Sequence, residues 1–312
     1  MATRLRRTLL TALVTASVVV PVSGAAKPAS VPAPVPAAAA VAPIAHATPA
    51  TLARRYATTR QAILAAEATA ADHGDRDRAA TLRTLAGPSR QFLTFDGRDG
   101  GRTAEVVGDL AAARRIAVLV PGADTSLDTY ARFRAGAGAL HRQLGTGSAV
   151  IAWLGYRTPG TISPELLTPA AAERAAPELR RFVETLAHAA PAAEISLIGH
   201  SYGTVVCARA AAGLPVAAIV LTGSPGTGYD HASDLRTTAA VWAGRGTSDW
   251  IGRVPHGSIP LAVTTLGLGA DPMSPEFGAH TFAAGDGGHS DYLRPGSTAL
   301  RAIARIVAGG AA

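Results

Sequence analysis

Short apolar runs alternate with amphipathic stretches along most of the chain. From Arg90 onward the runs are RQFLTFD (90–96), RTAEVVGDL (102–110), IAVLVPG (116–122), SAVIAWLGY (148–156), EISLIGHS (194–201), VAAIVLTGSPG (216–226) and TAAVWAG (238–244), each short enough to read as a strand. The first two flank Gly97-Arg98-Asp99-Gly100-Gly101 and predict an opening hairpin. Ahead of EISLIGHS, Leu179, Phe182, Val183 and Leu186 recur at i, i+3, i+4, i+7, which predicts a helix laid on the sheet. Strands alternating with helices argue for an α/β fold with a mostly parallel central sheet flanked by helices, in one domain spanning 90–312. Upstream, Leu52, Tyr56, Ile63 and Leu64 keep near-helical spacing, so 51–89 reads as a helical lead-in broken at His73-Gly74.

The first fifty residues follow different rules. Arg4, Arg6 and Arg7 precede an apolar stretch from about Leu9 to Val22 and then the small residues Ser23, Gly24, Ala25 and Ala26. That is the layout of a signal peptide over 1–26, so the expected localisation is secreted, extracellular or cell envelope. The stretch is shorter than the ~20 residues a bilayer span needs, so no stable membrane span is expected after cleavage. Arg6-Arg7 leaves both general and twin-arginine export open. Residues 27–50 are nearly all Pro, Ala and Val and predict an extended linker outside the folded domain.

Charge and cysteine content remove several function classes. The 29 basic residues face 22 acidic ones, and three of the 29 sit in the leader. So small an excess, without a basic cluster, leaves no footprint for nucleic acid. The single cysteine, Cys207, excludes a disulfide framework and cysteine-rich zinc sites, and it reads as a small core residue. No metal or organic cofactor is expected.

In sheets of this kind the chemistry sits beyond the carboxyl ends of the strands. EISLI runs into Gly199-His200-Ser201-Tyr202-Gly203 and then a helix-compatible stretch. Strand, G-x-S-x-G, helix is a nucleophile elbow, which sets the serine on a strained turn with glycines clearing backbone around it. The pentapeptide alone would occur by chance at about 0.2 per chain of this composition, so the flanking strand and helix carry the reading. Serine needs a base, and the base an acid, in the chain order Ser, Asp/Glu, His. His289, in the loop GDGGHSDYL, is the expected base; His231 and His256 read as surface residues, and His200 as structural or lining the elbow. Asp249, after TAAVWAGRGTS, is the expected acid, with Asp271 as rival and Asp230, Asp234, Asp286 and Asp291 as ordinary turn carboxylates. The oxyanion hole is assigned to the amides of Ala123, after IAVLVPG, and Tyr202. Asp124 is expected to cap the following helix, with binding of a polar substrate group as the alternative.

The ordered segments RRIAVLVPGADTS, VIAWLGYRTP, SLIGHSYGT, VLTGSPG, VWAGRGTSDWI, DPMSPEFGA and GHSDYLRPGS resemble an actinobacterial α/β-hydrolase family known mainly as a domain of unknown function. The resemblance covers about 90–307 and implies an α/β-hydrolase fold whose triad falls, by motif, on Ser201, Asp249 and His289. Only about a dozen residues follow GSPG before the next strand, so no large lid domain is expected there. The segment 252–279, together with Trp153, Tyr156, Trp250 and Tyr202, is expected to shape the pocket. The function that fits is a secreted serine hydrolase acting through an acyl-enzyme on a small-molecule ester or lipid-like substrate. An amidase or peptidase of the same fold, or a noncatalytic cell-envelope binding module, are the alternatives.

Overall fold

Side-chain alternation along the central strands divides the interior into two apolar cores, one on each face of the sheet. The structure, a computed structural model, describes residues 43–254, 257–260 and 265–310. The leader 1–26 and most of the Pro/Ala stretch lie outside these. The chain enters through two helices, α1 (Pro49–Asp72) and α2 (Arg76–Leu85), then forms the antiparallel pair β1 (Gln91–Asp96) and β2 (Arg102–Gly108). β3 (Arg115–Val120), α3 (Tyr130–Leu144), β4 (Ser148–Leu154), α4 (Ala170–Ala189), β5 (Glu194–His200) and α5 (Tyr202–Ala210) follow. β6 (Ala218–Thr222), β7 (Ala240–Gly244), a small hairpin β8 (Gly257–Pro260) and β9 (Thr265–Gly269), β10 (His280–Thr281) and α6 (Thr298–Val307) complete it.

The main sheet has eight strands in the order β1-β2-β4-β3-β5-β6-β7-β10. β2 runs antiparallel to both its neighbours, and from β4 to β10 every pairing is parallel. On β4, Ala149, Ile151 and Trp153 enter the core under α4 and α5, whereas Val150, Ala152 and Leu154 enter the core under α3 and α6. Both faces are therefore dry, which is why these strands read as continuous apolar runs. On α4, Leu179, Val183 and Leu186 are buried, on the side the helical spacing marks.

The helical lead-in belongs to the same interior. Leu52 joins one core; Ile63, Ala66, Ala70, Leu82 and Leu85 join the other. Its start corrects the expected linker boundary at residue 50. Helix α1 begins at Pro49, with the Thr48 hydroxyl accepting from the Thr51 amide at 3.2 Å. Ala47 N–H donates to the Ala189 carbonyl at 2.8 Å, and Ile44 packs on the core. A threonine N-cap followed by proline at the first helical position is a start signal that the surrounding proline density obscures.

After β3 the chain moves to β4 on one side, and β5 then pairs on the other, so the sheet order switches direction at β3. The loops leaving β3 and β5 open side by side there, because Val120 pairs with Gly199 at the end of the ladder. Between β6 and β7 the described residues form loop and a short 3-10 turn, Ala232–Leu235, with no lid domain.

Candidate active site

Ser201 stands between β5 and α5 with φ +53° and ψ −127°, a left-handed conformation that a side-chain-bearing residue adopts only when its surroundings force it. Its amide donates to the Thr222 carbonyl at 2.9 Å, and its carbonyl accepts from the Thr204 amide at 3.0 Å and the Thr204 hydroxyl at 2.7 Å. Close approach explains the neighbouring glycines. A Cβ on Gly199 would lie 2.8 Å from the Gly203 carbonyl oxygen, and one on Gly203 would lie 2.3 Å from that of Val120. Gly122, in the loop after β3, has the same reason: a Cβ there would meet the Ser201 Cβ at 2.7 Å.

His289 comes to this turn from the loop between β10 and α6. Its Nε2 lies 2.9 Å from Ser201 Oγ, and its Nδ1 lies 2.9 and 3.0 Å from the two carboxylate oxygens of Asp249. A carboxylate only accepts, so Nδ1 carries the proton and Nε2 presents its lone pair to the serine hydroxyl. Asp249 follows β7, its carboxylate fully buried and also accepting from the Ile251 amide at 2.9 Å. The structure thus brings together Ser201, His289 and Asp249. Asp271 lies elsewhere, paired with Arg245 at 2.9 Å. His231, on the surface, approaches the Glu276 carbonyl at 3.0 Å through Nδ1.

Two groups that sequence reasoning left out of the machinery hold it in place. The Tyr292 hydroxyl donates to Asp249 Oδ2 at 2.5 Å and accepts from the Gly246 amide at 3.2 Å. Burial, with the Asp249 carboxylate adding to it, pushes this phenol well above its usual range, so it stays a donor. Its place three residues after His289 in GHSDYL signals nearness to the base but not the carboxylate it meets. His200 donates from Nε2 to the His289 carbonyl at 2.6 Å, since a carbonyl can only accept. Its ring and that of Trp250 flank the His289 imidazole, each with centroids 4.8 Å away.

Burial, then the nearby His289, lowers the His200 pKa to about 4. Native His200 is thus neutral between about pH 6.5 and 4, where the unfolded chain takes up a proton. Unfolding binds protons across that window, so stability rises with pH through it and the contribution is lost on acidification. We expect wild type to lose up to about 3 kcal/mol more stability than His200→Gln between pH 7 and pH 4. Urea unfolding at both pH values checks this, and equal losses in the two proteins would contradict it.

The serine opens onto a pocket of about 730 Å³. Phe133 and Gly136 of α3, Ile198, Leu166 and Leu293 supply apolar wall, and Ala123, Trp250, His289 and Arg132 also line it. This corrects the expected lining. Trp153 is a core residue; the Tyr156 hydroxyl donates to the Pro121 carbonyl at 2.6 Å, and that of Tyr202 to the Thr168 carbonyl at 2.7 Å. Among the described residues of 252–279 none lines the pocket; instead they form the β8–β9 hairpin and the turn Pro275–Phe277. Large aromatics beside sheet ends proved to be packing, while the wall comes from one face of α3 (132, 133, 136), which carries no conspicuous chemistry. Asp124 also differs from its expected capping role. It has φ +56° and accepts from the Thr161 amide at 3.2 Å and from the Thr161 hydroxyl, tying the loop after β3 to the loop after β4.

Among the described residues no cluster of histidine, cysteine and carboxylates could hold a metal ion. No helix of the described residues is long and apolar enough to cross a membrane. Cys207 is buried, and burial pushes its thiol well up, which makes it unreactive.

Comparison with known proteins gives a family match, two relatives and a structural likeness. Residues 96–259 match a family described as Alpha/beta hydrolase. An uncharacterised protein of Mycobacterium tuberculosis is 32% identical over 254 residues, covering 70% of this chain; the chain spans only 38% of that relative's length. An uncharacterised protein of Mycobacterium bovis is 34% identical over 186 residues, covering 52% of this chain and 70% of the relative. Among solved structures, esterase PE8 is 15% identical with a TM-score of 0.46, covering 67% of this chain and 98% of that one.

Proposed function

We propose, from the premise that the chain belongs to the alpha/beta hydrolase family, that it is a serine hydrolase whose substrates are carboxylic esters. The observation that carries the reading is the hydrogen-bonded series Ser201–His289–Asp249 at a strained turn on the pocket wall. In the first half-reaction His289 Nε2 takes the Ser201 proton as Oγ bonds to the ester carbonyl carbon. The amides of Ala123 and Tyr202 receive the oxyanion. Tyr202 is the first residue of α5, where an amide has no partner within the helix and the helix dipole favours negative charge. Collapse breaks the bond to the alcohol, which leaves with the proton from His289. Water, deprotonated by the same imidazole, then releases the acid and restores Ser201. Asp249 holds the imidazolium through its bonds to Nδ1, and no step calls for a metal or organic cofactor. The leader read over 1–26 assigns this activity to the secreted or cell-envelope fraction.

A pocket walled by Phe133, Leu166, Ile198 and Leu293 accepts an apolar acyl group. The test is turnover of p-nitrophenyl acyl esters from acetate to decanoate beside the matching anilides. We expect the esters to turn over, with a maximum above acetate, and the anilides at least about 100-fold more slowly, the arylamine being a poorer leaving group than the phenol. Faster anilides would make the protein an amidase, and no turnover of either by folded protein would leave a binding module.

A further inference from the structure

We propose that the rim of the pocket is a docking surface for an anionic lipid bilayer. The large hydrophobic side chains exposed among the described residues are Ile162 at 102%, Leu167 at 55% and Trp250 at 49%. Each stands on the pocket wall or one residue from it. Ile162 follows Thr161 and Leu167 follows Leu166, both of which line the pocket, and Trp250 lines it directly. Single exposed apolar residues scattered over a surface mean little, but their collection at one opening marks a contact site.

The loop that displays Ile162 is firmly held. Besides the Asp124–Thr161 bonds, Asp124 N–H donates to the Pro159 carbonyl at 3.0 Å. The Thr125 amide donates to the Thr158 hydroxyl at 3.2 Å, and that hydroxyl donates back to the Thr125 carbonyl at 2.9 Å. Ile162 is therefore presented at a set position beside the pocket.

Charge selects the occupant. Arg157 in the same loop, Arg132 on α3 and Arg253 on the turn that carries Trp250 are exposed, and none is in an ion pair among the described residues. Of the nearby carboxylates, Glu165 pairs with Arg174 at 3.1 Å and Asp291 with Arg294 at 3.8 Å, while Asp124 accepts from Thr161 and keeps its charge against the three arginines. Apolar tips flanked by unpaired arginines match an interface of acyl chains beneath anionic headgroups. A second copy of the same face would meet it with like charge. Docked this way, the pocket mouth faces the bilayer, and an amphiphilic ester reaches Ser201 without crossing water.

The test is co-sedimentation of the chain from Lys27 with vesicles of phosphatidylglycerol and phosphatidylcholine in equal parts, or of phosphatidylcholine alone. Among the described residues, every buried member of both cores lies within 52–307, and this truncation keeps all of them. Binding should favour the anionic vesicles, fall with added salt, and shift tryptophan emission to the blue, because Trp250 is exposed whereas Trp242 is half-buried and Trp153 buried. Ile162→Asp/Leu167→Asp should lower partitioning at least about tenfold, and Arg157→Gln/Arg253→Gln should erase most of the preference for anionic lipid. Both double variants should hydrolyse a soluble short-chain ester within about twofold of wild type, which shows the fold intact. Wild-type binding to neither vesicle, or unchanged binding by the aspartate variant, overturns the proposal. So does a wild-type dimer that the aspartate variant converts to monomer in sedimentation velocity. Vesicle binding does not depend on the serine chemistry, so the expected binding pattern without ester turnover would retain the docking surface and remove the hydrolase reading.

Discussion

Replacing His289 by alanine is expected to lower kcat/KM on the best p-nitrophenyl ester by about 10⁴-fold or more, most of it in kcat. The imidazole is the only titratable side chain within hydrogen-bonding distance of Ser201 Oγ among the described residues, at 2.9 Å. His200 does not replace it, because its Nε2 is committed to the His289 carbonyl and its pKa is held near 4. The loop should keep its place, since that hydrogen bond runs to the backbone of residue 289. Circular dichroism and thermal unfolding separate the chemical loss from misfolding. A His289→Ala enzyme that folds and retains more than about a tenth of the activity would assign the base elsewhere.

The second large effect is expected at Asp249. Asp249→Asn should cost about 10⁴-fold in kcat, although it nearly preserves shape. The carboxylate meets three donors, His289 Nδ1, the Ile251 amide and the Tyr292 hydroxyl, and an amide offers one oxygen where two were needed. The asparagine nitrogen would face a donor or force His289 into the tautomer that points a proton at Ser201. Asp271→Asn is the contrast. Its ion pair with Arg245 is partly exposed, so its loss should change kcat less than about threefold. Equal damage from both substitutions would contradict the assignment of the acid.

How much could be read in advance depended on where the information lay. β3 through β7 were legible because both faces of the sheet are buried, which makes each strand a short apolar run between turns. Ser201 was legible because a turn with backbone packed on both sides leaves room only for glycine at 199 and 203, and such a constraint writes itself into local sequence. His289 and Asp249 could be placed from chain order and their positions after strands. The clamp around them was less visible: nothing local in GHSDYL says that Tyr292 folds back onto a carboxylate 43 residues earlier. His200 looked structural, yet its contact runs 89 residues forward to the His289 carbonyl. The pocket wall was hardest, because Phe133 and Gly136 line it only through the way α3 packs, and Trp153 and Tyr156 were drawn away by the core. Asp124 shows the same limit, since its partner Thr161 lies across a gap that only the tertiary fold closes.

The positioning groups form one continuous chain of support around the serine. Tyr292 and the Gly246 amide hold Asp249, Asp249 and His200 hold His289, and His289 meets Ser201, whose backbone is held by Thr222 and Thr204. Each member is thus fixed by a neighbour that does not itself touch the substrate carbonyl, which is what keeps a hydrogen-bonded series aligned for proton transfer.

Peptide-level mass spectrometry after reaction of the folded protein with a fluorophosphonate tests Ser201 as the nucleophile. One phosphonyl adduct is expected, on Ser201, formed rapidly in wild type and absent in Ser201→Ala. Folded wild-type protein that forms no adduct, or one labelled equally after Ser201→Ala, would contradict that assignment.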